Sequence, residues 1–131
     1  MTSYDQIWET FLNNCETSDF DVPQQEEDIY KSIRNAILHF NNRLRDNLKA
    51  DNSTETVNRE LSEDDLLILA HFLRYIFLLN KKTLFENTWQ PFTNDVGIKN
   101  FGTQLNSLKQ SVMDQKDEIE RLILNAAVDY L

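Results

Sequence analysis

The sequence predicts an all-α protein, a small helical bundle around a central apolar helix with a long C-terminal helix. Three observations predict it. Residues 66–79, LLILAHFLRYIFLL, are apolar or aromatic at twelve of fourteen positions, interrupted only by His71 and Arg74. Two glycines and two prolines in 131 residues leave little material for the many tight turns of an all-β fold or the loop glycines of an α/β fold. From Phe101 onward, apolar residues recur at alternating intervals of four and three, the period of a helical seam. A chain of this length is read as a single helical domain over residues 1–131, large enough for a core without staples. Its helices are expected at about 4–14, 24–48, 63–82 and 100–130.

Taken in order, Ser3 is placed to cap a short helix from Tyr4 to Asn14, with Ile7, Trp8, Phe11 and Leu12 on its buried side. Residues 15–22 have no period and read as a loop. Pro23 suits the first turn of the second helix, where its missing N–H costs nothing, and Glu26, Glu27 and Asp28 suit the positive end of the dipole. The stripe of this helix is Ile29, Ile33, Ala36, Ile37, Phe40, Leu44 and Leu48, with Lys31, Arg34, Arg43 and Arg45 outside. Asn41 and Asn42 are poor helix formers and mark a possible bend or early end. Residues 50–61 are polar and read as a loop with a helical turn at 55–60.

The central helix has labelled ends. Ser62 is its cap, Asp65 sits at the capping-box position, and Lys81 and Lys82 lie at the negative end of the dipole. A helix apolar on nearly every side is buried on nearly every side. Its apolar stretch falls short of the roughly 20 residues of a membrane span, and Arg74 would lie near the bilayer centre. His71 and Arg74 share a face and are expected to be satisfied by a neighbouring carboxylate.

After it, Pro91 stops any helix, and Trp89, Pro91 and Phe92 form an aromatic corner. Packing is the plain account of the corner; partner binding through Trp89 and Phe92 is the sharper one. The last seam is Phe101, Leu105, Leu108, Val112, Gln115, Ile119, Leu122 and Ala126. It is polar over residues 113–118 and apolar again in LILNAAVDYL. A rod of about 45 Å exceeds a central helix of about 30 Å. The last helix is therefore expected to make two contacts, one with its own domain and one with a partner, the latter through Leu122, Ile123 and Tyr130.

The net charge is −9. Residues 1–30 hold eight acids and no Lys or Arg, residues 31–49 five cations and one acid, and residues 51–65 six acids and one cation. Such a chain lacks the clustered cations that grip nucleic-acid phosphates. The alternating blocks suit solvated faces or complementary faces between subunits. One cysteine, Cys15, excludes an internal disulfide and favours a reducing compartment. The opening residues carry neither the basic nor the apolar region of a secretion signal.

No enzyme is expected. His39 and His71 are preceded at the third position by Ala36 and Ile68, not by the glutamates of a di-iron bundle. No HExxH, Cys-x-x-Cys or glycine-rich phosphate loop is present. Nothing at sequence level activates Cys15. The reading is no catalytic residue, no cofactor and no metal.

The order of elements resembles the small helical head–tail connector, or adaptor, proteins of tailed bacteriophages. The opening helix followed by PQQEEDIYKSIRNAILHFNNRL, the apolar DDLLILAHFLRYIFLLNK with its Ala-His step, and the long C-terminal segment carry the resemblance. It implies a virion protein of the neck, at the head–tail junction, assembled in the host cytoplasm. It implies a homo-oligomeric ring whose partners are the portal protein and the tail and neck proteins. The C-terminal segment would embrace the portal, and the genome DNA would pass an acidic lumen without specific binding. The alternative from another class is a small helical protein-binding or regulatory module, which forms a small defined complex and no ring.

Overall fold

The computed structural model describes residues 1–18, 22–89 and 101–128, with the side chains of Trp89, Phe101, Ala127 and Val128 outside that description. The elements are α1 (Tyr4–Asn14), α2 (Glu26–Leu44), β1 (Ala50–Asp51), β2 (Thr56–Val57), α3 (Glu63–Trp89) and α4 (Phe101–Val128). The fold is all-α apart from the small β1–β2 ribbon, and α4 is the long C-terminal helix.

α3 is the hub. Leu66, Ile68, Leu69, Ala70, Phe72, Leu73, Ile76, Phe77 and Leu78 are all buried, and α1, α2 and α4 each pack against it. α1 contributes Tyr4, Ile7 and Phe11, with the Trp8 and Phe11 rings against Phe77. Leu12, expected on this buried side, is exposed instead. The buried line is Tyr4, Ile7, Phe11, and a residue next to Phe11 in sequence is turned about 100° away from it. Ser3 caps α1 as expected, its Oγ accepting from the Gln6 N–H at 3.1 Å.

α2 buries Ile33, Ala36, Ile37 and Phe40 along the expected stripe, with Ile29 and Leu44 half-buried. Its ends differ from expectation. It starts at Glu26, three residues after Pro23, with Gln25 as N-cap. It stops at Leu44 rather than near residue 48, because Arg45 takes a left-handed conformation with φ 55°. The Asn41 side chain then holds the turned chain. Its Nδ2 donates to the Leu48 carbonyl at 2.9 Å and its Oδ1 accepts from the Leu48 N–H at 3.0 Å. Leu48 stays buried, but from beyond the helix.

Residues 50–57 form a ribbon, not the expected loop with a helical turn. β1 and β2 pair antiparallel, Ala50 with Val57 and Asp51 with Thr56. Asp51 Oδ1 closes the turn by accepting from the N–H and hydroxyl of Ser53, at 2.9 and 2.6 Å. Glu55 supplies the second positive φ, 56°. The decisive contact is remote: the backbone of Thr2, Ser3 and Tyr4 lies alongside β2, with an isolated bridge between Ser3 and Thr56. Val57 N–H donates to the Thr2 carbonyl at 2.9 Å and Tyr4 N–H to the Glu55 carbonyl at 2.8 Å. Val57, the one large apolar residue of residues 50–60, is thereby buried. A β-branched residue with an edge to pair against favours strand over helix.

Ser62 caps α3, its Oγ accepting from the Asp65 N–H at 3.1 Å. The Asp65 carboxylate instead pairs with Arg59, which also pairs with Asp46. α3 runs past the expected end at residue 82 to Trp89. Lys81 and Lys82 are no stop signal. Lys82 pairs with Glu86 one turn on at 2.6 Å and carries the helix forward.

Candidate functional site

The structure brings together one polar group of unusual content inside the helical body, where α3 meets α4. Gln115, in the polar middle of the last seam, is 4% exposed. Its Nε2 donates to His71 Nδ1 at 2.9 Å and to the His71 carbonyl at 3.1 Å, and its Oε1 accepts from Arg74 Nη1 at 2.8 Å. Arginine can only donate, so the amide oxygen must face Arg74 and the amide nitrogen must face the imidazole. With the amide nitrogen donating, His71 Nδ1 is the acceptor of that bond. Burial pushes its pKa below the ordinary value; Glu118 and the Gln115 bond oppose this, and Arg74 and Arg121 reinforce it. Arg74 Nε donates to the Glu16 carbonyl at 3.1 Å and so ties the end of α1 to the same place. The partner expected for His71 was a carboxylate; the residue bonded to it is an amide.

The contact of α4 with its own domain is longer than the sequence implies and includes the polar middle of the seam. Leu105, Leu108, Val112, Gln115, Ile119, Leu122 and Ala126 are all half-buried or buried, and from residue 102 to 126 the exposed positions lie between them. The seam is one seam, packed on the body throughout. Its polar middle faces the two polar residues of α3 instead of marking a gap. The length mismatch also disappears. α3 has 27 residues and α4 has 28, each about 40 Å at 1.5 Å per residue. Towards the far end the packing thins: no residue from Leu79 to Thr88 or from Gly102 to Asp114 is buried.

Of the residues singled out for partner binding, Leu122 and Ile123 are half-buried and pack against the core cluster. They fasten α4 to its own domain, beside a bidentate Arg43–Glu120 pair at 2.5 and 2.7 Å that joins α2 to α4. Trp89 is the last residue of α3. Phe92 and Tyr130 lie outside the described residues. Sequence reasoning missed Leu124, which is 64% exposed near the end of α4, and Leu12, Leu38 and Leu84, also exposed. Leu124 and Leu38 were legible in principle, since neither falls on the stripe of its helix.

Cys15 is buried with its thiol against the Ala70 carbonyl at 3.6 Å, and burial pushes its pKa up to about 11. A thiol so placed stays protonated near neutral pH. Among the described residues, no group of three or more His, Cys, Asp or Glu is placed to hold a metal ion. None of the described helices is long and apolar enough to cross a membrane. What the polar group at Gln115 does is mechanical: it fixes the register of α4 on α3.

The sequence model of one protein family, described as YomZ prophage protein, matches residues 1–128. No solved structure matches the chain.

Proposed function

We propose, on the premise that this chain belongs to the YomZ prophage protein family, that it is a structural protein of the virion neck, a head–tail connector. The family match over nearly the whole chain is the observation that carries the reading, since it makes the protein phage-derived. The connector role adds to this the resemblance of its helical order to phage adaptors. In this role the protein forms a homo-oligomeric ring beneath the portal, contacts portal and tail proteins, and lets DNA pass without binding it. It is not an enzyme and uses no cofactor. A helical body with a fixed seam suits this work, because a ring subunit must present the same faces at every position.

The test is made in the lysate of a host in which the prophage is induced. The chain is tagged, the lysate is separated on a density gradient, and the tag is followed. Co-sedimentation with DNA-containing particles, and imaging that places the tag at the neck, is the expected result. A tag confined to small soluble fractions under every growth condition removes the connector reading. It would leave the small helical binding module in its place.

A further inference from the structure

Two helices of this chain carry outer faces of opposite charge, each with one exposed leucine. On α1 the face holds Asp5, Glu9 and Leu12, and Leu12 is 49% exposed. On α2 it holds Lys31, the half-buried Arg34 and Leu38, which is 68% exposed, with the exposed Glu27 one turn before Lys31; Arg45 follows one residue past the helix end, so cations outnumber the acid three to one. The spacings match. Asp5 lies seven residues before Leu12, Lys31 seven before Leu38, and Arg45 seven after Leu38. Seven residues are two helical turns, so Asp5 and Lys31 each stand almost in line with the leucine of their own helix.

Apart from Arg34, whose Nη1 donates to Asn52 Oδ1 at 3.1 Å, these charges are unspent among the described residues. Arg43, Arg59, Lys82 and Arg121 all have carboxylate partners within it. Asp5, Glu9, Lys31 and Arg45 form no ion pair among the described residues. Both faces point away from the core that α1 and α2 share with α3, so neither covers the other within one molecule.

We propose that the outer face of α1 in one copy of this chain docks on the outer face of α2 in a second copy. With Leu12 laid on Leu38, Asp5 meets Lys31 if the helices run parallel and Arg45 if they run antiparallel. Either direction sets an acid against a cation two turns from an apolar centre. Charge complementarity of this kind selects a partner and fixes register. The contact is heterologous, because each copy offers two different faces, so copies join head to tail and close into a ring where the rotation allows. The inference rests on the ring reading above and names the surfaces that would build it.

The test is a cross-link with a charge-swap control. Leu12→Cys and Leu38→Cys are combined in one chain, and both the purified protein and particles from the induced lysate are oxidised. A ladder of chain multimers in either is expected, with none from either single variant. Adding Asp5→Lys and Glu9→Lys should remove the ladder, and adding Lys31→Glu and Arg45→Glu to those should restore it. All these residues but the already solvated Arg45 lie on helix surfaces, so circular dichroism checks that each variant stays folded. No ladder in either sample, equal ladders from the single variants, or no rescue by the second charge reversal overturns the docking. Absence of the chain from particles removes the connector reading alone; a swap-dependent ladder from purified protein would still support the docking.

Discussion

Gln115 shows how one side chain can decide the fit of two helices. It satisfies a half-buried imidazole, a backbone carbonyl and a guanidinium at once. Gln115→Leu keeps the bulk and removes these partners, so about 1–3 kcal/mol of stability should be lost, measured by urea unfolding. His71 supplies a pH prediction. Its pKa is lowered on folding, so between the folded value and about 6.5 the unfolded chain binds the extra proton. Its contribution is complete above the unfolded pKa and is lost as pH falls through the folded one. Stability should therefore decline on acidification below about pH 6.5, and His71→Gln should flatten that part of the profile. Gln115→Glu, which offers an acceptor to Nδ1–H, should raise the His71 pKa, read by NMR titration. Leu73 is fully buried, and Leu73→Asp places a charge in the core. Against a total stability of about 5–15 kcal/mol, that should abolish cooperative unfolding in a circular-dichroism melt.

At the scale of elements, the informative positions are the ends. α2 ends where Arg45 accepts a left-handed conformation that costs a side chain about 1 kcal/mol relative to glycine. Arg45→Gly should accordingly raise the melting temperature, by up to about 1 kcal/mol in stability. Asn41 explains why the helix does not continue: its amide is committed to Leu48 on both sides. The α3 end makes the opposite point. Lysines after an apolar run look like a terminus, yet Lys82 and Glu86 extend the helix by an ordinary one-turn ion pair. That extension gives α4 a partner of its own length.

For the whole molecule, the question is which surface is left over once the core is formed. Ile123 is a poor probe of assembly, because it also packs on the core, and Ile123→Asp would weaken the attachment of α4. Leu124 is the cleaner probe. Leu124→Asp should leave stability within about 0.5 kcal/mol. If the end of α4 meets the portal, the same change should deplete the chain from gradient-purified particles, measured by immunoblot. Undiminished incorporation would place the portal contact elsewhere.

The sequence by itself determined the helical class, the buried stripe of α2, the central place of residues 66–79, both serine caps and the phase of the α4 seam. These are local or periodic facts: a cap is written three residues from the N–H that donates to it, and a buried stripe in every turn. Only the tertiary structure decided the rest. It decided that the backbone of Thr2 to Tyr4 would bond to residues 55–57, that Gln115 would fill the polar gap between α3 and α4, and that Leu12 and Leu124 would be left outside. Each depends on a partner far away in sequence, and a polar residue on an apolar stripe reads as a defect until the polar residue opposite it is in place.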